Sequence, residues 1–418
     1  MAKPSLASQK KVTADNLAGL GAARLAQILV EVADTRTDLK RRLRMELAAG
    51  LGAVHLAPEI DRRLRALETS KGQVTWRQKP AFLRDLDAIR GLVADQLGQQ
   101  EPDAALERLW RFLATYRQTS ARLREREPAF EAIYDKAAGD LGALLAGHDP
   151  YLAANALVDA AASLPQVWAG WMAQVTAGMS IEAARLALTL AQARAKAAPG
   201  WMVVVRHLAD AAADVAAWRA TYGQAAQDTP DIAVALARRW LAAGDVVAAG
   251  EALLRAAPKP KGLRRQMSAP DFAWESAWID YLDAAGETDA AQAVRWASFQ
   301  RTLDVGRAKA YVARFDDFDD VEAEAKVLAH AAAQADFSKG LALLLAWPAL
   351  AEASQMILDR GHDARIDPQD AEAWANTLRR RFPAAAHSLL RRGAATAFMQ
   401  RAFKMSERLT EEADAMRL

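Results

Sequence analysis

The 418-residue chain contains no cysteine. Disulfides, thiolate nucleophiles and cysteine-ligated zinc are therefore excluded, and the composition suits a reducing cytosol. Long apolar runs are also lacking: the richest, Gly340 to Ala351, is too short to span a bilayer and is interrupted by Pro348. Lys3, Lys10 and Lys11 are followed by no apolar core of signal-peptide length. Together these features point to a cytoplasmic protein with no membrane partner. β-Branched residues seldom alternate with polar ones, so strands have little support. The six histidines, His55, His148, His207, His330, His362 and His387, are scattered. No two have the i, i+4 spacing of a helical zinc site, and no His-Glu-x-x-His occurs. No Gly-x-x-x-x-Gly-Lys-Ser/Thr phosphate loop is present. Gly19-Leu-Gly21-Ala-Ala-Arg24 has arginine where a dinucleotide loop has its third glycine, and no strand precedes it. The sequence thus offers no catalytic set, no cofactor-binding site and no metal site.

What is present is helical. The chain is 52% hydrophobic and 25% charged, the composition of a folded soluble protein. One helical hairpin is written twice between Thr229 and Leu303. The first copy runs from Pro230-Asp231-Ile232 to Ala243-Gly244-Asp245 and on to about Ala257. The second runs from Pro270-Asp271-Phe272 to Ala285-Gly286-Glu287 and on to Leu303. The spacing of the two glycines lies in the range of stacked helix-pair repeats, which predicts an all-α solenoid of antiparallel, degenerate, tetratricopeptide-like hairpins. Ile232, Leu236 and Trp240 form one apolar stripe, and Trp274, Trp278 and Leu282 form its counterpart. Pro230 and Pro270 suit a first helical turn, Asp231 and Asp271 favour the positive end of the helix dipole, and Gly244 and Gly286 supply a left-handed closing residue. Val246, Gly250, Leu253 and Leu254 line one face of the next helix. Gly250 there costs about 1 kcal/mol of helix propensity, which is offset if another helix approaches closely.

Along the rest of the chain, residues 1–12 read as a disordered tail. Helices follow at 17–33, 38–49, from Pro58, 80–97, 102–123 and 128–145. Gly147-His148-Asp149-Pro150 then separates an N-terminal helical half, 13–147, from a repeat half, 148–418. Further helices are expected at 150–163, 165–177, 180–198 and 201–222. Beyond the doubled hairpin they fall at 319–334, 338–347 and 348–360, then from Pro368 and from Pro383. A polar helical tail closes the chain, and one continuous solenoid is the alternative to two halves.

Several stretches together resemble a known family. They are Leu17-Ala-Gly-Leu-Gly-Ala-Ala-Arg24-Leu25, Leu39-Lys-Arg-Arg-Leu-Arg-Met-Glu-Leu47, Ala293-Val-Arg-Trp296-Ala-Ser-Phe299-Gln-Arg-Thr-Leu303 and Phe318-Asp-Asp-Val-Glu-Ala-Glu-Ala. Ala346-Trp347-Pro348-Ala349-Leu350 and Leu389-Leu390-Arg391-Arg392 add to the likeness. The chain is similar to an all-helical bacterial family, mostly proteobacterial, catalogued as a domain of unknown function. The resemblance implies one helical family domain with no assigned activity, cofactor or catalytic residue. Relatives continue into a basic, tyrosine-containing C-terminal helix, from which Met399 to Leu418 departs.

Candidate binding residues remain. Residues 1–100 hold 17 Lys+Arg and 11 Asp+Glu, against 37 and 41 in the remainder. Arg36, Lys40, Arg41, Arg42, Arg44, Arg62, Arg63 and Arg65, with Lys71, Arg77 and Lys79 beyond them, could form a polyanion-binding face if neighbouring helices project them together. A second basic knot runs from Lys259 to Arg265. The acidic stretch Asp316 to Glu324 lacks the ligand order and bend glycine of a calcium loop and reads as a helix start. Most of the twelve tryptophans belong to the core, because burying one aromatic is worth roughly 4–6 kcal/mol gross. Trp240, Trp274 and Trp278 are the candidates for a partner groove. The leading expectation is a protein-interaction scaffold with an unidentified protein partner. The alternative is nucleic-acid or other polyanion binding through the N-terminal third. An enzyme built from carboxylates and arginines between hairpins ranks last.

Overall fold

Proline and aspartate decide where most helices begin. Pro102, Pro128, Pro150, Pro165, Pro230, Pro368 and Pro383 each sit in a first turn, where a missing N–H has no helical partner to lose. Asp149, Ser180, Asp214, Asp245, Asp271, Asp304, Asp336 and Asp367 each accept a hydrogen bond from a first-turn amide. The computed structural model describes residues 12–258, 260–261, 266–267 and 269–416. Among these residues the fold is all-helical apart from one short antiparallel pair, Pro260–Lys261 with Gln266–Met267. Among them, too, no helix is long and apolar enough to cross a membrane. Except for Val12, the expected N-terminal tail lies outside the described residues, as does most of the Lys259–Arg265 knot.

The chain divides into two compact units, one ending at Tyr222 and the other Gly223–Leu418. The Gly147–Pro150 corner therefore lies within the first unit. In that unit, helix Pro128–Leu145 packs on Pro165–Thr176, and Pro150–Ser163 packs on Ile181–Ala195. Helices Pro165–Thr176 and Ile181–Ala195 both then meet Met202–Ala211. In the second unit, Pro230–Ala242 packs on Val246–Arg255 and on Phe272–Ala284, which in turn packs on Thr288–Thr302.

The doubled hairpin turns as expected. Gly244 and Gly286 have φ of 81° and 76°. The next residue's N–H reaches back five residues at each corner: Asp245 to the Trp240 carbonyl and Glu287 to the Leu282 carbonyl, both at 2.9 Å. Ala213 (φ 53°) and Arg401 (φ 61°) make the same corner without glycine. There Asp214 donates to the Ala209 carbonyl at 2.8 Å, and Ala402 to that of Ala397 at 2.9 Å. Gly250 lets another helix come close: a Cβ there would fall 2.5 Å from the Tyr281 ring.

Some expectations need correction. Pro58 does not start a helix but lies inside Ala53–Thr69. The break falls at Gly52, whose φ of 104° suits only glycine, and Gln100 Oε1 takes the Ala53 amide at 2.8 Å. The 17–33 helix is interrupted, because Gly21 (φ 78°) separates Ala14–Ala18 from Ala22–Thr35. The 102–123 helix divides at Thr115, and the 201–222 helix at Ala213. Pro270 precedes its helix, since Asp271 is the cap rather than a first-turn residue. Leu254 faces solvent, while Ala249, Gly250, Ala252 and Leu253 bury that helix's inner face.

Candidate functional site

Helices Pro102–Ala114, Tyr116–Ser120, Pro150–Ser163 and Pro165–Thr176 enclose a concave groove of about 790 Å³ in the first unit. Trp110, Leu113, Leu164, Trp168 and Trp171 line it, together with Ala114, Ala121, Ala156 and Ala160. Behind it stands a ring cluster. Trp110 meets Trp168 at 5.6 Å between centroids, Trp168 meets Trp171 edge-on at 5.3 Å, and Trp171 stacks with Tyr134 at 6.1 Å. Tyr116, Phe112 and Phe130 close the cluster around Tyr134. The phenols inside it are anchored. Tyr134 shares a 2.8 Å hydrogen bond with Thr115, and Tyr116 donates to Glu131 Oε2 at 2.9 Å. Burial pushes both phenols up to about 12, with the Glu131 contact adding to the shift at Tyr116. At the rim, Arg111 is engaged by Asp61 at 2.7 Å and Glu68 at 3.1 Å, whereas Arg117 is exposed and forms no ion pair among the described residues. Trp168 and Trp171, read in sequence as core residues, are buried, 5% and 4% exposed, and show the groove only a small part of each ring. Trp110 lies too far away in the chain to show that it joins them.

The three tryptophans singled out in sequence come together within the second unit. Trp274 is 8% exposed, stacks on Trp278 at 5.5 Å and donates its indole N–H to the Leu253 carbonyl at 3.1 Å. Trp240 and Trp278 are half-buried against a cluster containing Ala233, Ala237, Leu253 and Ala277. Their rings join consecutive helix pairs.

The basic residues also converge. Helices Thr37–Leu51, Ala53–Thr69 and Lys79–Gly91 gather Arg36, Lys40, Arg41, Arg42, Arg44, Arg62 and Arg63 around three adjoining depressions, together with Arg77, Arg84 and Arg122. Arg65 stays apart, its Nε on the Asp61 carbonyl at 3.3 Å. Carboxylates engage much of this charge. Arg36 pairs with Asp38 at 2.5 Å, Lys40 with Asp34 at 2.9 Å, Arg62 with Glu59 at 2.8 Å and Arg42 with Glu46 at 3.7 Å. Buried Asp85 holds Arg63, through an Nε bond of 2.8 Å, and Arg41 at 3.7 Å. Arg122, brought in from a distant loop, was not legible as part of this cluster. Its guanidinium lies over Phe82, and its pKa is held below the ordinary guanidinium value, first by burial and then by the charge on Arg63.

The acidic stretch supplies a helix start. Asp319, Asp320 and Glu322 occupy the first turn of Asp319–Ala332.

No curated protein and no solved structure matches the chain. One family model does, over residues 7–176 and 173–407, which together take in most of the length. The chain therefore belongs to the family of unknown function DUF6880.

Proposed function

We propose that the protein is a cytoplasmic interaction scaffold whose helix pairs stack, within each unit, as degenerate tetratricopeptide-like repeats. The repeated corner at Gly244 and Gly286 and the contacts between alternate helices support the stacking. The observation that carries the scaffold reading is the groove lined by Trp110, Trp168 and Trp171. It is concave, mostly apolar and large enough for several side chains of a partner segment. Trp110, the partly exposed ring of the three, is the one a partner could cover further, and aromatic anchors contribute strongly at interfaces. Exposed Arg117 favours a segment whose apolar residues are followed by a carboxylate.

The test compares wild-type protein with Ala160→Arg, which places a long charged side chain in the groove lining. A partner captured from the native host, then purified, is expected to bind wild type saturably in calorimetry and to bind Ala160→Arg at least about tenfold more weakly. Equal binding by both proteins, or turnover of a substrate at the groove, would overturn the reading.

A second reading, polyanion binding by the N-terminal third, is supported by the convergence of Arg36, Arg41, Arg62 and Arg63 on one face. It predicts oligonucleotide affinity that falls steeply with salt and is lost on charge reversal of Arg41, Arg42 and Arg44. The carboxylate pairing of that face weighs against it.

A further inference from the structure

One pocket of the basic face is lined by two guanidiniums that no carboxylate among the described residues engages. This pocket, of about 470 Å³, is lined by Arg36, Arg41, Arg63, Arg77 and Arg122, with Asp38 and Asp85 as the facing carboxylates. Asp38 is taken by Arg36, and Asp85 by Arg63 and Arg41. Arg77 and Arg122 have no carboxylate partner among the described residues. Arg77 lies over the Trp76 ring at 5.1 Å and Arg122 over Phe82 at 5.0 Å. Five guanidiniums against two carboxylates leave an excess of three positive charges around one cavity.

The wall is pre-organised. The loop after helix Ala53–Thr69 is stapled to helix Tyr116–Ser120 and the segment after it by four bonds. Val74 N–H donates to the Arg122 carbonyl at 2.9 Å, Arg122 Nε to the Gly72 carbonyl at 2.8 Å, Gln118 Nε2 to the Ser70 carbonyl at 2.8 Å, and Gln73 Nε2 to the Ala121 carbonyl at 3.2 Å. The Arg122 bond uses one of five N–H donors and directs the guanidinium without exhausting it. Rigid, planar donors around a positively charged cavity match the oxygens of phosphate, which a guanidinium can grip through two bonds at once.

We propose that this pocket is a binding site for a small phosphate-bearing anion, with Arg77 and Arg122 as its uncommitted ligands. A pocket, rather than a polymer track, is favoured because five guanidiniums converge on this one stapled cavity, whereas around it Lys40, Arg42 and Arg62 are each engaged by a carboxylate and only Arg44 and Arg84 of the lining cations have no ion pair among the described residues. The inference concerns the pocket alone and does not need the surrounding face to bind a polymer.

Inorganic pyrophosphate is the probe, titrated into the full chain by calorimetry. Saturable binding at one site is expected, with Arg77→Gln weakening it about tenfold. Arg122→Gln should weaken it at least as much, whereas Arg65→Gln, on the same basic surface but outside the pocket, should leave it unchanged. Arg77 is exposed, so its variant tests the site even if Arg122→Gln fails to fold. A second arm presents the phosphate on phosphatidylcholine vesicles containing phosphatidic acid. Recruitment that depends on Arg77 supports a lipid source, and pyrophosphate binding without recruitment supports a soluble one. No saturable binding, or equal loss in Arg65→Gln, overturns the proposal. So does an oligonucleotide that binds while pyrophosphate fails to compete.

Discussion

Single residues set the tolerance of this fold. Gly250 is the sharpest case, because the Tyr281 ring occupies the space a Cβ would need. In an open helix, Gly→Ala would gain about 1 kcal/mol of propensity. At Gly250 the overpacking outweighs that gain, and Gly250→Ala is expected to destabilise by about 1–3 kcal/mol in denaturant unfolding. A more stable variant would show that the ring has room to move. Ala213 presents the opposite case, an alanine in the left-handed region at φ 53°. Left-handed backbone costs a residue with a Cβ roughly 1–2 kcal/mol, and part of that is returned as unfolded-chain entropy when glycine replaces it. Ala213→Gly should therefore raise the melting temperature modestly. The ring cluster behind the groove has a titration signature. Tyr116 and Tyr134 have pKa values of about 12 in the fold, against about 10 in the unfolded chain. The fold thus favours the protonated phenols. Their contribution to stability is present below about pH 10 and is lost as pH rises toward 12. Ultraviolet titration of the native protein should leave Tyr116 and Tyr134, two of the six tyrosines, un-ionised near about pH 11, whereas both should ionise in denaturant. If all six ionised together in the native protein, the phenols would not be buried as described.

At the scale of elements, the sequence shows a corner when glycine makes it and hides the corner when another residue does. Gly244 and Gly286 stand out in the sequence, while Ala213 and Arg401 turn the chain through the same hydrogen-bond pattern unmarked. What fixes those two is the start of the next helix and the packing beyond it, neither of which is a local signal. Apolar stripes were likewise readable at Trp274, Trp278 and Leu282, but the charged contacts between the same helices were not. Arg295, nearly fully buried, is held by Asp283, which also takes Arg314 at 2.9 Å. Arg307 donates to Ser276 at 2.8 Å, and buried Glu275 accepts from Ser298 at 2.9 Å and from Arg301. Arg301 and Arg314 on the same stretch of chain are exposed while Arg295 and Arg307 are buried, so residue type and spacing alone do not separate them. Removing one partner strands a buried cation. Asp283→Asn is expected to cost about 3 kcal/mol, while the double change Asp283→Leu with Arg295→Met should recover most of it. Unfolding of the two variants decides this, and a harmless Asp283→Asn would mean that water reaches Arg295.

At the scale of the whole molecule, the candidate sites are unevenly distributed. The aromatic groove draws on residues 110–171 and the basic pocket on residues 36–122, so both belong to the unit that ends at Tyr222. The second unit has its own apolar interior, from the Ala233–Ala277 cluster to the larger one between Phe299 and Ala413. Internal cores of this kind predict that each unit melts as a cooperative body. Calorimetry should then resolve two transitions, and fragments 12–222 and 223–416 should each reproduce one of them. Ligand linkage distinguishes the two. Pyrophosphate at about a hundredfold over its dissociation constant should stabilise the unit that holds it by about 2.7 kcal/mol and leave the other transition where it was. If the transition assigned to fragment 223–416 moved instead, the anion would bind outside the arginine pocket, and the assignment of Arg77 and Arg122 would fail with it.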